Sequence, residues 1–117
     1  MSYLEDVVGV VASGGHAAPE ENLVSVAEYF SNAPALEQKK LKKKISDMGY
    51  KRYSITIDDL IPTQEFVDTE NFKDVESINK PVKVFIDSDG IKLVDGHHRC
   101  ASLLAAGVAK VKAYVYS

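Results

Sequence analysis

The chain has 117 residues, 45% of them hydrophobic and 26% charged, which is the composition of one ordinary globular domain with a core of its own. No apolar run approaches the roughly 20 residues a membrane-crossing helix needs, and the N-terminus lacks the basic start and apolar centre of a secretory signal. A net charge of −3 argues against a molecule that is basic all round, and a single cysteine, Cys100, excludes an internal disulfide and points to the cytoplasm.

The first half reads as helical. Leu4, Val7, Val8 and Val11 recur at helical spacing before Ser13-Gly14-Gly15 interrupts them, and His16 falls in that glycine-rich loop. Pro19, Glu20 and Glu21 suit a helix start, and Leu23, Val26, Ala27 and Phe30 then form one apolar stripe. Pro34 opens a third predicted helix in which Leu41, Ile45 and Met48 face inward and Gly49 is the stop. On its outer side lie Lys39, Lys40, Lys42, Lys43 and Lys44. Outside that run only nine basic residues face 17 acidic ones, so positive charge is concentrated there. The run is either a solvated helix face or a phosphate-tracking patch for DNA.

The pattern changes near Lys51. Tyr53, Ile55 and Ile57 alternate with Ser54, Thr56 and Asp58, the period of a half-buried strand. Residues 58–62 read as a turn closed by Pro62, residues 63–68 as extended or irregular, and residues 70–78 as a short helix. Val82 to Ile86 is a strongly β-like run, and Asp87-Ser88-Asp89-Gly90 is a hairpin connection to a returning strand, Ile91 to Val94. A helix carrying Cys100, Leu103 and Leu104 on one side then ends at Gly107, and a strand from Val111 to Tyr116 follows. The predicted organisation is an N-terminal helical cap or extension over residues 1–50 and an α+β unit over residues 51–117. The cap is a candidate surface for a homo-oligomer or a protein partner.

The chemistry concentrates where that returning strand meets its helix, in Asp95-Gly96-His97-His98-Arg99. The first turn of a helix has backbone N–H groups without intrahelical partners and a partial positive charge, so it takes an anion readily. Arg99 adds a forked donor for phosphate oxygens, and His97, His98 and Asp95 are candidates to move a proton. Two of the three histidines and one of the two arginines stand in three consecutive positions. Adjacent histidines diverge on a helix, so no metal site is expected of the pair. Cys100 could be activated by the helix terminus, but its spacing to Leu103, Leu104 and Gly107 marks it as a core residue. Asp58, Asp59, Glu65 and Asp68 are further acidic candidates that spacing cannot rank.

Residues 53–117 resemble the ParB/sulfiredoxin-like superfamily, in the Asp-Gly-His-His-Arg branch often labelled "ParB-like nuclease". The resemblance runs through Ile57 to Gln64, Pro81 to Ile86, Leu93 to Ala101, Gly107 and Val111 to Val115, a little over half the chain. It implies a small mixed sheet with packed helices. It also implies ATP or CTP as ligand, with Mg²⁺ accompanying it, phosphates held by Gly96, His98 and Arg99, and Thr63-Gln64 facing that turn. Ser77 and Lys73 are weaker candidates for the same ligand. Members include CTP-hydrolysing partition proteins, sulfiredoxins, free serine kinases and nucleases, so the implied activity is a nucleotide-dependent phosphotransferase or a nuclease. A non-catalytic DNA- or protein-binding module of phage or plasmid type, using the Lys39–Lys44 helix, is the alternative. His97 stands where sulfiredoxins carry their reactive cysteine, which removes that chemistry. The turn also departs from the Gly-Glu-Arg-Arg of partition proteins, and no helix-turn-helix pattern follows before Ser117, so clamp-type chromosome segregation is not expected.

Overall fold

The β-like run after Pro81 becomes the centre of the sheet. The computed structural model describes residues 22–69 and 80–117. Among these the chain forms β1 (Leu23–Ser25), α1 (Gln38–Ile45), β2 (Lys51–Thr56), β3 (Leu60–Pro62), β4 (Phe66–Asp68), β5 (Val82–Asp87), β6 (Gly90–Asp95), α2 (His97–Ala105) and β7 (Lys110–Tyr116). The expectations that fall on residues 1–21 and 70–79, including the stripe Leu4 to Val11, His16, and Lys73 and Ser77, lie outside the described residues.

Five strands make one mixed sheet in the order β2-β7-β5-β6-β3, and β1 pairs with β4 in a separate two-stranded sheet. The Asp87–Gly90 hairpin forms as expected, with β5 and β6 antiparallel and Asp87 opposite Gly90. β7 runs parallel to β5 and antiparallel to β2, and β3 runs parallel to β6. The fold is a small α+β arrangement.

Alternation along the central strands sends side chains to two cores. Val82, Val84, Leu93, Val111, Ala113 and Val115 face α2, which meets them with Cys100 and Ala101, and Val26, Phe30 and Val67 complete that cluster. On the other face Phe85, Val94 and Tyr116 pack against Leu41 and Ile45 of α1. An eight-residue helix with five lysines is too short to hold itself in water. The burial of Leu41 and Ile45, worth roughly 1.5–3 kcal/mol each, is what fixes α1 on the sheet. Residues 22–50 thus share their cores with residues 51–117. The C-terminus of α2 closes on Gly107 at φ +80°, with the Val108 N–H donating to Leu103 O at 2.8 Å.

Three local expectations are corrected. The stripe Leu23–Phe30 is a short strand followed by a single 3-10 turn, Val26–Glu28, whose start is capped by the Ser25 hydroxyl. Leu23 to Ser25 find a ladder partner in Phe66 to Asp68, while Val26 and Phe30, four apart, still point inward and are buried. The third helix begins at Gln38 rather than at Pro34: the Ala35 carbonyl is taken by the Glu37 N–H in a tight turn, and the first helical bond runs from the Leu41 N–H to Glu37 O. Residues 60–62 are an edge strand rather than a turn, and Pro62 is tolerated at its end. Tyr53 is 53% exposed because β2 is the opposite edge of the sheet. Among the described residues, no helix is long and apolar enough to cross a membrane.

Candidate functional site

β6 ends at Asp95, and one residue later α2 begins. The hinge between them is Gly96, at φ +110°, in the left-handed region that side chains disfavour. A Cβ there would stand 2.5 Å from Val82 Cγ1, so both the backbone angle and the close approach of β5 require glycine. The helix start is then left open. No side chain caps α2, no acid lies in its first turn, and its first three residues are His97, His98 and Arg99.

The two histidines part company at once. His97 turns inward and is only 2% exposed, packed near Phe30 with ring centroids 6.2 Å apart. The Thr63 N–H donates to its Nε2 at 2.8 Å. Burial, aided by the nearby charges of His98 and Lys42, pushes its pKa down to about 3, so the ring is neutral. Because Nε2 accepts, the ring proton sits on Nδ1, and Nδ1 is buried without a partner. His98 is half-buried, and its Nε2 accepts the Asp68 N–H at 2.9 Å. Burial lowers its pKa as well, against the opposing charge of Asp68.

Arg99 curls back over the turn. Its Nη1 lies 3.4 Å from the position a Gly96 Cβ would occupy. Its Nε is buried and makes no hydrogen bond, and among the described residues the guanidinium has no ion-pair partner. An unsatisfied buried donor costs about 1–3 kcal/mol. Two such donors, Arg99 Nε and His97 Nδ1, therefore belong to the first turn of one uncapped helix.

The remaining predicted site residues are brought to this turn in different ways. Thr63 is buried, with its N–H on His97 and its hydroxyl donating to Leu93 O at 2.6 Å, so it braces the turn from behind. Gln64 accepts from Gln38 Nε2 at 3.0 Å and donates to Phe66 O at 2.6 Å, which ties it into the wall beside the turn. Asp95 is exposed at the end of β6, opposite Lys83 of β5. Asp58 and Asp59 lie exposed in the 3-10 turn between β2 and β3. Among the described residues no three His, Cys, Asp or Glu side chains cluster to hold a metal ion. Cys100 is fully buried and its thiol is pushed up to about 12, the core residue its spacing predicted.

Sequence reasoning missed what α1 contributes. Gln38 Nε2 also donates to Val94 O at 3.2 Å, which sets the Gln38–Lys42 edge of α1 beside the turn. A groove of about 540 Å³ opens there, lined by Lys42, Tyr50, Lys83, Val94, Asp95 and Tyr116. The i,i+4 spacing of Gln38 and Lys42 shows that they share a helix edge, but only the packing of α1 on β6 reveals that the edge meets Asp95. No protein-family model matches the chain, and no curated protein matches it.

Proposed function

We propose that the Asp95–Arg99 turn binds the phosphate of a nucleotide, ATP or CTP by the resemblance to the ParB/sulfiredoxin-like superfamily. The observation that carries this reading is the Arg99 guanidinium, folded over Gly96 with a buried, unpartnered Nε at an uncapped helix start. An oxyanion at that point accepts from Arg99 and from the free N–H groups of the first turn of α2, which itself holds no acid, Asp95 standing just before it. Gly96 leaves the backbone open to close approach. Thr63 and His97 keep the helix start at its angle to the sheet, and Lys42 adds positive charge from α1.

Of the reactions the resemblance implies, phosphoryl transfer and phosphodiester cleavage both need charge neutralisation and a proton acceptor. Asp95 is the exposed carboxylate next to the turn and the residue we assign to that second task. Mg²⁺ arriving with the phosphates would be held by their oxygens and by water and would neutralise charge there, leaving Asp95 for the proton. His98, tied through Nε2 to β4, offers a ligand only its Nδ1–H. His97 is too deeply buried and too weakly basic for proton transfer, and we assign it to positioning instead. A lone buried thiol fits a cytoplasmic setting for this activity.

Thermal or calorimetric titration with ATP, CTP and GTP, with and without Mg²⁺, tests the reading. A nucleotide at a hundredfold excess over its dissociation constant stabilises the wild type by about 2.7 kcal/mol, and Arg99→Ala removes the effect. Absence of stabilisation by every nucleotide overturns it. Nucleotide binding without phosphate release or strand cleavage assigns the turn a binding role alone. A second reading, a non-catalytic DNA-binding module, is favoured by the five exposed lysines of α1. Of these only Lys40 is ion-paired among the described residues, 3.6 Å from Glu37. Retention of duplex DNA that vanishes when Lys39–Lys44 are neutralised supports that module.

A further inference from the structure

We infer that the sheet face beneath α1 binds single-stranded nucleic acid, whose path runs from the Asp95–Arg99 turn across Lys83 and Tyr114 to Arg52. The inference rests on the phosphate-binding reading of the turn for one end of that path, and on separate observations for the rest.

The register places four side chains in one row. Asp95 is opposite Lys83, Lys83 is opposite Tyr114, and Tyr114 is opposite Arg52, so the row crosses β6, β5, β7 and β2. At the usual spacing of strands it is roughly 14 Å long. α1 covers the neighbouring row, Phe85 and Tyr116, through Leu41 and Ile45, and leaves a groove whose walls include Lys42 and Lys83.

The row is aromatic in its middle and cationic around it. The Tyr50 ring lies 4.3 Å from that of Tyr114 and 5.6 Å from that of Tyr116, yet Tyr50 stays 51% exposed. The Arg52 guanidinium sits 5.3 Å from the Tyr114 ring centre and donates to its hydroxyl at 3.2 Å. Lys112, two residues along β7 from Tyr114 and therefore on the same face, is exposed opposite Ser54. Among the described residues Lys42, Arg52, Lys83 and Lys112 have no carboxylate within ion-pair distance. Asp95 is the one acid among the described residues lining the groove.

These features select the ligand class. Open tyrosine and arginine faces stack on planar bases, and bases are available for stacking only where they are unpaired. Cations spread along the whole row match a repeating backbone charge, whereas a mononucleotide presents its phosphate at one end only. On a chain of net charge −3, such a local excess of free cations draws a polyanion to this face in particular.

Fluorescence anisotropy with a labelled oligothymidine of about a dozen nucleotides, repeated over a several-fold range of salt, tests the inference. We expect binding to the single strand and weaker binding to a duplex of the same length. Tyr50→Ala should weaken it on the order of ten- to a hundredfold and Tyr50→Phe should not, with circular dichroism melts confirming that both fold. Lys83→Ala should lower the salt slope by roughly 0.7. The inference falls if the wild type ignores the oligonucleotide. It falls equally if Tyr50→Ala and Lys83→Ala bind as the wild type does, or if heparin or duplex binds as well as the single strand. ATP or CTP binding abolished by Arg99→Ala, with no oligonucleotide binding, overturns this inference and keeps the reading of the turn. Oligonucleotide binding that needs Tyr50 and Lys83 but tolerates Arg99→Ala, without mononucleotide binding, overturns the reading of the turn and keeps the basic aromatic face.

Discussion

Acid should unfold this protein partly through one side chain, His97. In the unfolded chain its imidazole takes a proton near 6.5, while in the folded protein burial holds it neutral down to about 3. Between those values the unfolded state binds the proton and the folded state does not, so stability present above pH 6.5 is lost as the pH falls. The full displacement corresponds to roughly 4–5 kcal/mol, of which about 2 kcal/mol is lost between pH 7 and pH 5. His98, also depressed by burial, loses stability in the same window. The carboxylates Glu37 and Asp87, held low by Lys92, lose theirs only below the ordinary carboxylate range. A comparison with His97→Gln isolates the effect, since glutamine can still accept the Thr63 N–H but does not titrate. Urea melts at pH 7, 6 and 5 supply the free energies. The variant should be less stable at pH 7 by about 1–3 kcal/mol, and the gap should shrink by about 2 kcal/mol at pH 5. If wild type and variant lose stability in parallel from pH 7 to 5, His97 is not buried neutral and the positioning role assigned to it fails.

Three further outcomes follow from the same packing. Gly96→Ala combines a backbone angle disfavoured for alanine with overlap on Val82, and should cost about 2–4 kcal/mol in denaturant melts; a loss below about 0.5 kcal/mol would show that β5 does not press on the turn. Lys92, 3% exposed, gathers Glu37 at 2.7 Å, Asp87 at 2.9 Å and Asp89 at 3.3 Å. Lys92→Met leaves three carboxylates facing one another and should destabilise by about 1–3 kcal/mol at pH 7. The wild-type advantage should fade as the pH drops through the lowered carboxylate range, and equal acid sensitivity of the two proteins would refute the pairing. Cys100, buried with its thiol pushed up to about 12, should resist iodoacetamide at pH 8 in the native protein and react in urea; fast native alkylation would place it at the surface.

Local signals were enough for the hairpin at Asp87–Gly90, the strand-glycine-helix turn, α2 and β7, because each depends on periodicity or turn chemistry confined to a few residues. Leu23–Phe30 misled for a physical reason. Val26 and Phe30 are four apart and inward-facing in either conformation, and the choice fell to β4, which offered Leu23 to Ser25 a ladder. Lys92 could not be foreseen as buried, since its three partners come from the approach to α1 and from both sides of the hairpin tip. Lys42 and Lys83 entered the site the same way, through the packing of α1 on the sheet.

The basic turn itself was legible, but the separate parts its two histidines play were not. Adjacent in the sequence, both read as candidates to move a proton, and the fold sends them to different partners. His97 and His98 each accept a backbone N–H from the segment between β3 and the end of β4, at Thr63 and Asp68. They thereby fasten residues 63–68 to the start of α2. An imidazole nitrogen that accepts a hydrogen bond carries no proton, so this fastening and a positive ring exclude one another. The positive character of the turn therefore comes from Arg99 and the open helix terminus. Phosphate affinity at the turn should accordingly follow the ligand's own ionisation across pH 6 to 8. A protein-side loss near pH 6.5 in a titration with a fully ionised anion such as sulfate would show that a histidinium, and not Arg99, holds the ligand.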